Sequence, residues 1–106
     1  MVSLIDIQEL ANRIAGEFNP EKIILFGSYA TGMPSHDSDV DMLVIVPHTG
    51  KSWRFATEIR IRVRPQFPLD LLVRTGDELN RRAAEGDPFL NEIIKEGKVL
   101  YEKHHE

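Results

Sequence analysis

Between Leu25 and Val46 the sequence reads LFGSYATGMPSHDSDVDMLVIV, and its acids and small residues are spaced for work on phosphate. Asp39 and Asp41 lie one residue apart where an apolar run begins. If that run is a strand, side chains alternate and both carboxylates project to one face. Two like unit charges ~5 Å apart repel by roughly 3 kcal/mol at an effective dielectric of ~20, so a raised pKa or a positive charge must compensate. Asp70 is a lone acid in a second short apolar run, Leu69 to Val73. With that run beside the first, three carboxylates converge. Such an oxygen donor set suits hard divalent cations: Mg²⁺ takes one or two carboxylates together with substrate phosphates, and paired metal ions clamp both oxygens of an in-line phosphoryl displacement.

Gly27-Ser28 follows the apolar run Lys22 to Phe26 and opens a short helical turn closed by Gly32. Backbone N–H groups at such a junction point at an anion, glycine lets a phosphate approach closely, and Ser28 offers a hydroxyl donor. Gly32 supplies a backbone conformation that a side chain would forbid. Gly-Ser or Asp-Ser-Asp alone is ordinary turn composition. Their joint order, strand, Gly-Ser, Gly, Ser-Asp-x-Asp at the next strand, then an acid inside a third, points to a metal-bound nucleoside triphosphate.

The elements that must position these residues are also readable. Ser3 with Asp6 forms a capping pattern, and Ile7, Leu10, Ala11, Ile14 and Phe18 recur at helical spacing up to Asn19-Pro20. Val40 to Val46 is an uninterrupted apolar strand that Pro47 stops. Trp53, Ala56, Ile59 and Val63 mark a helix with Arg54, Glu58 and Arg62 on another side, ended by Pro65 and Pro68. Asp77 to Glu85 is a short helix ended by Gly86. Asp87 suits an N-cap and Pro88 the first position of a last helix whose apolar side is Phe89, Leu90, Ile93 and Ile94, with Gly97 in a left-handed C-terminal position. Lys98 to Tyr101 is a final edge strand, and Lys103 to Glu106, with His104-His105, a frayed tail. The economical assembly is α+β, a small mixed sheet with helices packed on one face.

The whole chain narrows the function classes. Its 106 residues make one domain, 1–106, too short for a separate substrate-binding domain, so a large acceptor must be held partly by another protein. There is no cysteine, so any metal site uses oxygen or imidazole. Seventeen acidic against 13 basic side chains argue against a phosphate-tracking surface, and nucleic acid is not the expected direct substrate. No apolar run approaches the ~20 residues of a membrane span and no basic leader opens the chain, so the expected location is the cytoplasm. His36 and His48 read as loop residues, Tyr29 and Trp53 as packing aromatics, and Arg54, Arg60, Arg62 and Arg64 as a solvated helix face.

The motif residues resemble the minimal nucleotidyltransferases of the DNA polymerase β superfamily: a Gly-Ser pair (Gly27, Ser28), a glycine four residues on (Gly32), Asp-x-Asp opening the next strand (Asp39, Asp41) and a third acid on a later strand (Asp70). The closing FLNEIIKEGKVLYE shares the likeness, which therefore covers nearly the whole chain. The resemblance implies a polymerase β palm-like fold. It also implies that Asp39 and Asp41 hold two Mg²⁺ ions, that Asp70 completes the catalytic metal site and helps deprotonate an acceptor hydroxyl, and that Gly27 and Ser28 hold the triphosphate of ATP. The small members it resembles are typically antitoxins that silence an all-helical HEPN ribonuclease toxin by moving AMP onto a tyrosine. Many members have arginine where this chain has Thr31. That departure leaves room for a nucleotide-binding module that neutralises its partner by contact alone. A third reading is nucleotidylation of a small molecule such as an aminoglycoside, with a dimer partner completing the pocket.

Overall fold

In the computed structural model, which describes residues 1–104, the chain runs α1 (Leu4–Phe18), β1 (Lys22–Phe26), α2 (Ser28–Thr31), β2 (Val40–Ile45), α3 (Ser52–Val63), β3 (Leu69–Arg74), α4 (Gly76–Ala84), α5 (Pro88–Glu96) and β4 (Lys98–Glu102). His105 and Glu106 of the expected tail lie outside the described residues. The helix ends follow from local chemistry. Ser3 Oγ accepts from the Asp6 N–H at 3.1 Å, and Asp87 Oδ1 accepts from the N–H groups of Phe89 and Leu90 with Pro88 beside it. Thr75 caps α4 in the same way through the Glu78 N–H. Asn19 and Arg64, which end α1 and α3, both adopt the left-handed conformation, at φ 50° and 47°. Each precedes a proline, which disfavours continuation of a right-handed helix at that residue.

The four strands lie in the order β3-β2-β1-β4, with β2 and β3 parallel and the other pairs antiparallel. The parallel pair requires a crossover, and α3 is it. Alternation then sorts the strand residues onto two faces. Ile23, Leu25, Val40, Met42, Val44, Leu69, Leu71 and Val73 pack with Ile7, Leu10, Ile14, Ile59 and Val63 of α1 and α3. The α+β class and the mixed sheet are as the sequence led one to expect, but the structure differs from a single helical layer. Ile24, Leu43 and Ile45, the residues of opposite parity, are buried against Leu79, Leu90 and Ile93 of α4 and α5. Strands as uniformly apolar as β1 and β2 need cover on both faces.

Gly97 departs from its expected left-handed role, adopting φ −71° and ψ 160°, an extended conformation open to any residue. Its lack of a side chain is required by space instead. A Cβ there would run into the Ile93 carbonyl oxygen, lie 2.5 Å from Ile24 Cγ2 and 3.1 Å from the Leu25 carbonyl oxygen, because α5 turns into β4 directly against β1. Gly97→Ala is expected to lower stability by about 1–3 kcal/mol, as overpacking does. Gly16→Ala, in α1 with open space around its Cβ position, should instead gain about 0.5–1 kcal/mol. Urea unfolding midpoints at unchanged slope measure both, and a Gly97→Ala protein as stable as the wild type would show that the α5–β4 junction is not close-packed.

Candidate active site

The parallel ladder sets Asp41 directly opposite Asp70, on the sheet face that carries Leu43 and Leu72. Phe26, the last residue of β1, is the antiparallel partner of Asp41. Three strand ends thus meet at one edge, and the two carboxylates occupy it. Asp41 is half-buried and Asp70 exposed. The Asp41 carboxyl is pushed up from 3.8 to about 6, first by burial, then by the charges of Asp70 and Asp39. Asp39 stands one residue before β2 and is exposed, so it is not a ladder residue, but its charge reaches Asp41.

The glycine-serine turn abuts this pair. Gly27 has φ 73° and ψ −155°, a conformation suited to glycine, and a Cβ on it would occupy the space of Asp41 Oδ2. Its carbonyl accepts from Ala30 and Thr31 at 3.0 and 3.2 Å, and Gly32 closes the turn at φ 80°. Ser28 begins α2 and is half-buried. The Thr31 hydroxyl points back and donates to the Ser28 carbonyl at 3.2 Å.

A cavity of about 470 Å³ opens between this turn, the two acids and α5. Its apolar wall is Phe26, Ala30, Phe89 and Ile93. Among the described residues its charged lining is acidic, with Glu92 and Glu96 joining Asp41 and Asp70 and no lysine or arginine. The expected apolar face of α5 is thus only half buried. Leu90 and Ile93 are buried as expected, whereas Phe89 and Ile94 are about half exposed, and the Phe89 ring reaches Phe26 edge-to-face at 5.9 Å. Phe89, Glu92, Ile93 and Glu96 recur at three- and four-residue spacing, the signal from which this cavity wall was legible.

The remaining candidates lie elsewhere. His48 bonds the Val46 carbonyl and Ser52 Oγ and stacks on Phe55 at the far end of β2. Tyr29 is buried, its hydroxyl accepting from the Val2 N–H, as a packing aromatic should be. Trp53 is 65% exposed under the Arg54 guanidinium, contrary to a packing role. Arg62 pairs with Glu17, and Arg60, exposed on its helix face as expected, also donates to the Leu69 carbonyl beside Asp70 and so anchors the start of β3.

Among the described residues, no three His, Asp or Glu side chains are gathered into a preformed metal cage. Asp41 and Asp70 nevertheless fit Mg²⁺: their donors are all oxygen, the repulsion between them is what a cation relieves, and Mg²⁺ binds through one or two carboxylates with the rest of its shell from phosphate and water. Without a cation, the raised carboxyl has a defined sign. The folded state holds the Asp41 proton more tightly than the unfolded chain, so the contribution of this group to stability is full below pH ~4 and is lost as pH rises through about 6. Asp41→Asn should therefore raise the melting temperature at pH 7.5 and flatten its decline between pH 4 and 7. Identical pH profiles for the two proteins would show that the acids do not strain one another.

Comparison with known proteins places the chain in a family and its fold among solved structures. The family described as polymerase beta nucleotidyltransferase matches residues 8–106. A Methanocaldococcus jannaschii protein provisionally named a protein adenylyltransferase is 28% identical over 97 residues, covering 90% of this chain and 94% of that protein. Among solved structures, a Sulfolobus solfataricus protein provisionally described as a nucleotidyltransferase is similar at TM-score 0.66 and 19% identity, covering 94% of this chain and 80% of its own. A toxin-antitoxin structure with AMP-PNP reaches TM-score 0.58 at 21% identity, over 92% of this chain and 74% of that one. A mutant MntA-HpeT toxin-antitoxin structure with two aspartate-to-glutamate replacements reaches 0.55 at 18%, with the same coverage. At these identities the structural likeness is one of fold.

Proposed function

Because the chain belongs to the polymerase beta nucleotidyltransferase family, we propose that it transfers AMP from ATP to a tyrosine hydroxyl of an all-helical HEPN ribonuclease and acts as that toxin's antitoxin in the cytoplasm. The observation that carries the reading is the register pair Asp41–Asp70 with Gly27 packed on Asp41. The provisional name of the M. jannaschii relative supports adenylyl transfer, and two structural neighbours that are toxin-antitoxin structures, one with AMP-PNP, support the partner class and the nucleotide.

Asp39, Asp41 and Asp70 are the proposed ligands of two Mg²⁺ ions, which when bound offset triphosphate charge and polarise the reacting phosphate. Gly27, whose missing side chain makes room for Asp41, lines the phosphate end of the cavity, and Ser28 donates a hydrogen bond to the triphosphate. Asp70, exposed at the strand mouth, takes the proton of the acceptor hydroxyl. The acceptor oxygen bonds to the α-phosphorus, the bond from that phosphorus to the bridging oxygen breaks, and pyrophosphate leaves with the electron pair. The chain's contribution is orientation and charge placement on a rigid sheet edge.

One observation favours a second reading, neutralisation by contact. The Thr31 hydroxyl is engaged with its own turn, and the cavity lining offers no cation to the phosphates. One experiment separates the two. With ATP, Mg²⁺ and the toxin, wild-type protein is expected to raise the toxin's intact mass by one AMP. Asp39→Asn with Asp41→Asn should cut that transfer at least ~100-fold while toxin binding persists. Neutralisation that survives the double substitution without any mass increase would replace catalysis by contact.

A further inference from the structure

The α5 side of the cavity has a chemistry of its own. Phe89 is 52% exposed although it is a large aromatic, and its ring is held edge-on by Phe26 rather than covered. Glu92 and Glu96 stand one and two turns along the same face, with Ile93 between them forming the apolar floor. An aromatic ring with a face open to a cavity is a stacking platform, since stacked rings gain beyond their buried area. Carboxylate oxygens accept hydrogen bonds, so a ring that presents N–H donors is the kind these two side chains favour. The acids also repel phosphate, and the Asp41–Asp70 pair proposed to hold a cation lies at the other end of the cavity, so the triphosphate is assigned there rather than against α5. The same cavity runs without interruption to Gly27 and Thr31, so one molecule can reach from the glycine-serine turn past Asp41 and Asp70 to α5.

We propose that Phe89, with Glu92 and Glu96, forms the nucleobase subsite: the base stacks on Phe89, and an exocyclic amine donates to the carboxylate pair. The inference rests on the nucleotidyltransferase reading of the site and adds how the donor's base is chosen. Adenine fits it because its 6-amino group is the one N–H donor of the base once the ribose is attached. Thr31 and Gly27 belong to the phosphate end and take no part in this selection. Both glutamates are exposed and helical, so their replacement by alanine, the strongest helix former, leaves the fold intact.

Equilibrium binding in Mg²⁺ tests it with three ligands: ATP, purine riboside triphosphate, which lacks the 6-amino group, and inorganic tripolyphosphate. Wild-type protein is expected to bind ATP about tenfold or more tighter than the analogue, the usual range for a hydrogen bond to a charged group. Glu92→Ala with Glu96→Ala should bring that ratio close to one without weakening tripolyphosphate. Phe89→Leu, which keeps the apolar contact to Phe26, should weaken ATP and the analogue together by about tenfold, in line with the loss of a base–ring stack, and leave tripolyphosphate unchanged. An unaltered ATP-to-analogue ratio in the glutamate double variant, or unaltered ATP affinity in Phe89→Leu, overturns the subsite while leaving the nucleotidyltransferase reading in place. Variants that change only the KM of the acceptor assign the α5 face to the acceptor and overturn it as well. Wild-type protein that binds neither ATP nor tripolyphosphate removes the triphosphate site itself, and the subsite with it.

Discussion

Two acids of like charge are held side by side by a parallel backbone ladder, and the rest of the molecule is arranged so that they stay there. Neighbouring strands are ~4.8 Å apart, where two carboxylates repel by roughly 3 kcal/mol at an effective dielectric of ~20. The opposing term is on the other face of the same strands. Val40, Met42 and Val44 of β2 and Leu69, Leu71 and Val73 of β3 are all buried against α1 and α3. Each such side chain contributes about 1.5–3 kcal/mol on burial, so six of them exceed the repulsion severalfold even after discounting for a compact unfolded chain. The alternation that gives one face its apolar residues fixes the acids on the other, and a slip of one residue would lose the core and the pair together.

The spacing of the candidate site's residues was more legible in the sequence than the layers around it. Asp41 and Asp70 were legible because an acid within an apolar strand is costly unless it serves something, Gly27 and Gly32 because the turn between two such strands needs positive φ, and Ser28 because it opens that turn with a hydroxyl. Asp39 was read as a strand residue on the face of Asp41. In the structure the ladder begins at Val40, and Asp39 acts on its neighbour through charge from an exposed position. The second helical layer was hidden because β1 and β2 are apolar at both parities, a pattern that says they are covered without saying by what. Gly97 was misassigned for a related reason: a glycine after a helix is usually a left-handed cap, and only the approach of α5 to β1 reveals one needed for space.

Arg60 shows the same limit from the polar side. Spacing put it on a charged helix face, and periodicity alone cannot separate a solvated guanidinium from one reaching a backbone carbonyl nine residues on. Its bond to the Leu69 carbonyl occupies an acceptor on the strand edge one residue before Asp70. An edge strand whose carbonyls are unpaired is free to fray or to recruit another chain, and here the crossover helix that makes the pair parallel also supplies the cap. Sequence order, β2 then α3 then β3, thus ties the helix that buries the core to the residue that sets the outer acid.

The acidity of the cavity constrains what can enter it. Asp41, Asp70, Glu92 and Glu96 surround about 470 Å³ with no lining cation, and Thr31, where relatives of the resembled type often carry arginine, turns its hydroxyl onto its own turn. A bare triphosphate carries about four negative charges and meets four more, so on the proposed reading the species that binds is the metal complex, whose cations offset charge on ligand and protein alike. The Asp41 carboxyl, raised to about 6, keeps its proton in the empty site only below that pH and is mostly ionised at neutral pH, where a cation beside it favours the ionised form further. On the proposed reading, binding of the metal-nucleotide therefore releases a proton from Asp41 at mildly acid pH, and at neutral pH it relieves the repulsion between two acids that are already ionised.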